Sequence, residues 1–166
     1  FAREFDRVIL SGTGSGQPMG ILNDTRVKAE NKITFTVAEL ADWTKWRTKL
    51  FAKVPLAYRG EGVLVMTAAT LETYDPVNGT VSGKFAGREV ILVEPDIMKD
   101  FDAAADGDAF AIYFRPNDYA INTNLQLAFK RWFSDEKNVW YNKGLCIMDG
   151  KLLDVNSVFV LKKSTK

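Results

Sequence analysis

Three glycines in five residues, Gly12, Gly14 and Gly16 of Ser11-Gly12-Thr13-Gly14-Ser15-Gly16, are the residue type that cradles phosphate. A phosphate cradle needs a strand entering the loop and a helix N-terminus leaving it, so that free N–H groups and a positive dipole end point at the anion. Here the order is reversed. Phe1, Phe5, Val8 and Ile9 recur on one helical face before the loop, opposite Arg3, Glu4, Asp6 and Arg7. The Walker pattern fails because Met19 stands five residues after Gly14 with no lysine behind it. The dinucleotide pattern fails at Gln17 and again at Met19. A connector after a helix C-terminus fits the chain order better.

Carboxylates supply the next candidates. Asp96, Asp100, Asp102, Asp106 and Asp108 form the most acidic stretch. Taken as a calcium loop from Asp102, Gly107 falls correctly at position six, but position three is Ala104 and position twelve is Tyr113 where a bidentate Glu is required. A solvated loop is the reading. Glu94, Asp96 and Asp108 are the candidate acid and base residues for a carboxylate-dependent enzyme. Histidine is absent altogether, which removes Ser-His-Asp, Cys-His and histidine-metal chemistry. No cofactor and no metal is expected. Cys146 is the only cysteine and lies in the apolar run Gly144–Met148, where an inert thiol is ordinary.

The elements that must position these residues follow from the pattern. The chain has 166 residues, 46% hydrophobic and 12% aromatic, enough for one domain with a core or two small lobes. Lysine plus arginine number 22 and aspartate plus glutamate 21, so the net charge of +1 shows no polyanion-binding stripe. No apolar run reaches the ~18 residues of a membrane span, and no signal peptide is present. The chain opens on Phe1 rather than Met, which points to a piece of something longer.

Lys32–Phe35 reads as a short edge-like strand. Thr36-Val37-Ala38-Glu39 is a capping box opening a helix with Val37, Leu40, Trp43, Trp46 and Leu50 on its apolar side, ending before Pro55. The tryptophan spacing favours core or subunit packing over a sugar or base platform. Gly62–Met66 and Gly87–Pro95 read as buried strands, with a Thr67-capped helix after the first and a turn at Val77–Thr80. Asn78-Gly79-Thr80 matches a glycosylation sequon, discounted for want of a secretory signal. Phe110, Ile112 and Phe114 alternate in a further strand, and Pro116–Asp118 marks a turn.

Asn124–Phe133 alternates cleanly, Leu125, Leu127, Phe129, Arg131 and Phe133 against Asn124, Gln126, Ala128, Lys130 and Trp132. With the turn Ser134–Asn138 and Val139–Met148 it makes a long antiparallel hairpin, which needs something to lie on; the first helix is the partner expected. Asp149-Gly150 is a further hairpin signal, and Val158–Leu161 a last buried strand before the polar tail Lys162–Lys166.

Taken in order, these pieces resemble the major capsid proteins of tailed bacteriophages and prophages. Gly12, Gly14, Pro18, Gly20, Ile21 and Leu22 match that family's pattern after its long spine helix. Val65-Met66-Thr67 through Leu71, Gly87–Val90 continuing to Met98, and Gly107-Asp108-Ala109-Phe110 match its middle segments, with Thr67 and Glu89 departing from the usual Asn and Pro. Ser157–Lys162 resembles its ending.

The resemblance implies an α+β, Hong Kong 97-like capsid fold. Residues 1–21 would be the end of the spine helix and its connector in a peripheral domain, and 22–116 an axial domain. Residues 117–151 would be the peripheral hairpin, and 152–166 the return strand and tail. It also implies a structural subunit rather than an enzyme, self-assembling through hexamers and pentamers into the icosahedral head shell around phage DNA. The protein would sit in the virion, and in the host cytoplasm during assembly, with only non-specific DNA contact and no membrane. Candidate subunit contacts, by region, are Arg3, Arg7, Phe129, Arg131, Trp132, Asp135 and Glu136. No crosslink is carried over, and the fragment alone is expected not to close shells. A carboxylate-dependent α+β enzyme and an unrelated binding scaffold are the alternatives.

Overall fold

A computed structural model describes residues 2–74, 84–85 and 87–165; the turn and sequon expected at Val77–Thr80 lie outside the described residues. Helix α1 (Ala2–Ser11) leads through the glycine loop and two short 3-10 turns to β1 (Lys32–Phe35). Short helices α2 (Val37–Leu40) and α3 (Trp43–Lys45), a wide turn over Trp46–Phe51, and α4 (Leu56–Arg59) follow. Then come β2 (Val63–Thr67), α5 (Ala68–Tyr74), β3 (Lys84–Phe85), β4 (Arg88–Val93) and β5 (Ala109–Phe114). The chain closes with β6 (Tyr119–Ser134), β7 (Val139–Leu152) and β8 (Phe159–Lys163). Among the described residues, six strands form one mixed sheet in the order β1-β8-β5-β2-β4-β3, while β6 and β7 pair only with each other.

Both faces of the sheet are covered. One carries Leu64, Met66, Ala111, Tyr113, Phe159 and Leu161 under Leu40, Trp46, Leu50, Phe51 and Phe101. The other carries Val63, Val65, Ile112, Phe114 and Val160 under Leu10, Ile21, Val27, Met98 and Leu152. That explains why β2, a continuous apolar run, is buried at every position. Burial of each such side chain contributes about 1.5–3 kcal/mol before entropy is counted.

The capping box forms as expected, with Glu39 N donating to Thr36 Oγ1 at 3.4 Å and Thr36 N to Glu39 Oε2 at 3.1 Å. The helix it opens is not continuous, however. It breaks after Leu40, where Asp42 starts a second cap by accepting from Thr44 N at 2.8 Å. Val37 is therefore 54% exposed rather than on a core stripe. Farther on, Ala52 N reaches back five residues to Arg47 O at 2.7 Å, a π-type widening. The extra residue turns Leu50 and the adjacent Phe51 both inward beside Trp46, whose Nε1 donates to Leu40 O at 2.7 Å.

Three further expectations are corrected. The strand over Arg88–Val93 is not buried: it lies next to the two-residue edge strand β3, and Ile91 and Leu92 face solvent. Phe110 and Ile112 do not share a face, because the register against β8 slips between Ala109 and Ala111, turning Phe110 to the first core and leaving Ile112 in the second. Asp149-Gly150 is no turn. The pair continues β7 opposite Asn122 and Ile121, and a Cβ on Gly150 would stand 2.9 Å from the Tyr119 ring, so close cross-strand packing accounts for the glycine.

The glycine loop is tied down at both ends. Gly20 N donates to Gly12 O at 2.9 Å, and a Cβ on Gly12 would stand 2.2 Å from Pro18 O and 2.5 Å from Val8 O. Met19 N donates to Gly150 O at 2.8 Å and Tyr119 Oη to Met19 O at 3.0 Å, so the loop clamps the base of the hairpin. Burial pushes the Tyr119 phenol up to about 12, so it stays a neutral donor throughout the physiological range.

Candidate assembly surfaces

The hairpin of β6 and β7 is the longest element. Fourteen residues of β7 at about 3.3 Å each make an arm of about 45 Å. Ser134 pairs with Val139 and Tyr119 with Leu152, so β6 uses two more residues than β7 over the same span. The excess sits in register slips at Thr123–Leu125 and Leu125–Ala128, which twist the arm. Beyond its base the arm buries little of itself. Ile121, Phe129, Trp132, Phe133, Val139, Trp140, Leu145 and Ile147 are exposed, with Phe129 at 75%. An isolated two-stranded ribbon is marginal in water, and this one is held by cross-strand aromatic pairs. Trp132 stacks on Tyr141 at 5.4 Å on one face, and Phe133 meets Trp140 at 5.2 Å on the other, with the Arg131 guanidinium 4.5 Å from the Trp140 ring.

The contact residues inferred from sequence thus fall into two groups. Phe129, Arg131 and Trp132 are exposed along the arm, and Asp135 and Glu136 are exposed in its tip. Trp140, Leu145 and Ile147 of β7 are exposed along the same arm and were not among the residues inferred from sequence. Their signal was present, since β7 carries aromatic and aliphatic residues opposite those of β6. Arg3 and Arg7 are engaged within the chain: Arg3 Nη2 donates to Asp96 Oδ2 at 2.8 Å, and Arg7 grips Glu4 one turn back, Nε to Oε2 at 3.0 Å. They hold α1 to itself and to the loop after β4.

Two of the three carboxylates considered for catalysis are separately engaged. Asp96 is taken by Arg3, and Asp108 accepts from Lys99 Nζ at 2.7 Å and Ala105 N at 3.0 Å. The Lys99 ammonium holds the Asp108 carboxyl below its ordinary range, opposite to the raised value a general acid needs at neutral pH. Asp108 lines a cleft of about 250 Å³ with Lys32 and Lys162, and neither Glu94 nor Asp96 lines it. Among the described residues no group of three or more acidic or cysteine side chains is placed to hold a metal. No helix among them is long and apolar enough to cross a membrane.

A double-faced sheet body, a helix ending in a glycine clamp and a long arm with apolar surface outward define the Hong Kong 97-like fold of structural shell subunits. The chain belongs to the phage capsid family, whose profile matches residues 1–163.

Solved structures agree on the fold. The capsid of the empty GTA particle is similar with a TM-score of 0.77 and 19% identity over 99% of this chain and 63% of that one. The Gordonia phage Cozz structure gives 0.60 at 16% identity, over 99% and 60%. The holo-SrpI encapsulin complex from Synechococcus elongatus PCC 7942 gives 0.59 at 14% identity, over 96% and 60%. The chain thus spans about three fifths of the length of these structures. No curated protein matches it.

Proposed function

We propose that this chain acts as a structural capsid subunit. Copies associate into hexamers and pentamers and these into the icosahedral head shell enclosing phage DNA. The observation that carries the reading is the arm: large apolar side chains exposed on both of its faces, Phe129 and Trp140 among them, are surface that burial against other copies would stabilise. Phe129, Arg131 and Trp132 supply the contact along the ribbon, and Asp135 and Glu136 its charged tip. Arg3 and Arg7 act at the helix end, where Arg3 ties the helix to Asp96 and Arg7 pairs with Glu4 within it.

In this reading residues 1–21 and 117–151 belong to a peripheral domain, and 22–116 with 152–166 to an axial domain. The protein carries no catalytic activity, sits in the virion after assembly in the host cytoplasm, and meets DNA only non-specifically. A net charge of +1 suits a wall that encloses DNA without gripping it. Negative-stain electron microscopy of the full-length gene product tests this. Shells, hexamers or pentamers are expected, and a monomer over a range of salt and protein concentration would overturn it.

A further inference from the structure

The near-zero net charge conceals a separation of charge along the sheet. Residues 43–60 carry Lys45, Arg47, Lys49, Lys53 and Arg59 and no aspartate or glutamate. Residues 94–108 carry Glu94, Asp96, Asp100, Asp102, Asp106 and Asp108 against the single Lys99.

Part of the basic segment lines an open cleft of about 510 Å³ bounded by Thr44, Arg47, Thr48, Phe51, Arg59 and Arg88. Among the described residues no carboxylate lines it. Arg59 is aimed by its own backbone: Nε donates to Val54 O at 2.9 Å and Nη2 to Ala52 O at 3.4 Å. The Arg88 guanidinium lies 3.9 Å from the Phe51 ring centre, on the wall of the cleft. Arg47 sits on the wide turn itself, exposed, and among the described residues neither it nor Arg59 forms an ion pair.

The topology keeps the arginine cleft and the acidic loop apart, while Lys49 of the basic segment is taken by Glu39 at 2.6 Å. β2 and β4 run parallel, with Leu64 opposite Val90, so Arg59 before β2 and Arg88 at the start of β4 mark one end of the sheet. The acidic segment leaves β4 after Val93 and enters β5 at Ala109, at the other end. The six residues of β4 separate the ends by about 20 Å, twice the Debye length at 0.1 M salt. The cleft is thus not neutralised by its own chain's acidic loop, whereas a second copy displaced along the strand direction brings that loop to it.

We propose that the arginine cleft of one copy receives Glu94 and Asp106 from a second copy, a head-to-tail contact that repeats from subunit to subunit. These are the exposed carboxylates of the 94–108 loop that, among the described residues, no internal arginine or lysine pairs. Such a contact uses two different patches and closes into a ring when the rotation permits. This inference rests on the self-assembly reading and names the seam within it.

The test uses two charge reversals in the full-length protein, Arg47→Glu with Arg59→Glu, and Glu94→Lys with Asp106→Lys, followed by mass photometry and thermal melting. Each variant alone is expected to melt within a few degrees of the wild type yet lose oligomer at least tenfold. Each places like charges at the seam. Mixed in equal amounts, the two variants are expected to recover oligomer, because each cleft then meets a loop of opposite sign. Neutral Arg47→Gln with Arg59→Gln gives an intermediate loss and stands in should either reversal fail to fold. Variants that assemble like the wild type, or a folded mixture that does not recover, would overturn the seam while leaving self-assembly intact. A wild-type protein that stays monomeric would overturn both.

Discussion

The Tyr113 side chain fills the space in which a side chain on Gly62 would stand. A Cβ on Gly62 would lie 2.0 Å from Tyr113 Oη and 2.2 Å from Cζ. Tyr113 is fully buried, and its hydroxyl donates to Tyr58 O at 3.1 Å, so the ring has no free direction in which to retreat. Gly62→Ala should therefore destabilise the fold by about 2–3 kcal/mol, through overpacking and the strained hydrogen bond. Urea denaturation measures it. A midpoint equal to the wild type would show that the ring is freer than its burial indicates.

The glycine clamp separates two kinds of glycine. A Cβ on Gly12 or Gly20 would meet backbone atoms within 2.5 Å, which cannot swing aside. Gly16 has φ of 66° but open space around it. Gly16→Ala should cost about 1 kcal/mol for the left-handed conformation alone. Gly12→Ala should cost about 3 kcal/mol or more, since the loop must open. Comparative thermal melts of the two variants check the order, and equal losses would contradict the clamp.

The Asp24–Arg26 pair is a source of acid sensitivity. Asp24 is buried and accepts from Arg26 Nη2 at 2.6 Å, Nε at 3.0 Å and backbone N at 3.0 Å, while Arg26 Nη2 also reaches Leu152 O at 2.8 Å. The Arg26 guanidinium holds the Asp24 carboxyl below its ordinary value. A carboxylate lowered in the folded state contributes stability above its unfolded value, about 3.9, which is lost as pH falls through the folded value. Because Arg26 is half exposed, Asp24→Asn should cost about 1–2 kcal/mol at pH 7. The gap to wild type should narrow below about pH 4, as the wild-type carboxyl takes up its proton. Denaturant titrations at pH 7, 5 and 3 would show it, and a pH-independent gap would refute the assignment.

Surface and core aromatics should part company. Phe129→Ser on the arm should leave folding within about 0.5 kcal/mol of wild type while weakening oligomer formation at least tenfold. Phe110→Ala, fully buried beside Phe35 and Phe101, should cost about 3–5 kcal/mol of folding stability. Sedimentation velocity together with denaturation distinguishes the two. Unchanged sedimentation of the Phe129 variant would remove the arm from the assembly surface.

Local features were legible in the chain because their causes are local. The Thr36–Glu39 box forms between neighbours, the glycines after α1 end a helix by their own backbone freedom, and alternation over Asn124–Phe133 predicts a strand whatever lies around it. Apolar runs marked Val63–Met66 and Val158–Leu161 as interior strands for the same reason.

What neighbours decide could not be read this way. Arg88–Val93 has the composition of a buried strand, yet Ile91 and Leu92 are exposed, since among the described residues only the short β3 stands beyond it. Asp149-Gly150 has the composition of a turn and runs straight because Tyr119 packs over the glycine. Phe110 faces its core because β5 carries one residue more than β8 at that point. Arg47, Arg59 and Arg88 share a cleft only once β2 and β4 are aligned in parallel, a pairing between residues such as Leu64 and Val90, 26 positions apart. Sequence by itself determined the elements, through short-range sterics and periodicity. The tertiary structure alone decided which faces are covered and which charges meet, since burial and Coulomb contact depend on distance in space rather than along the chain.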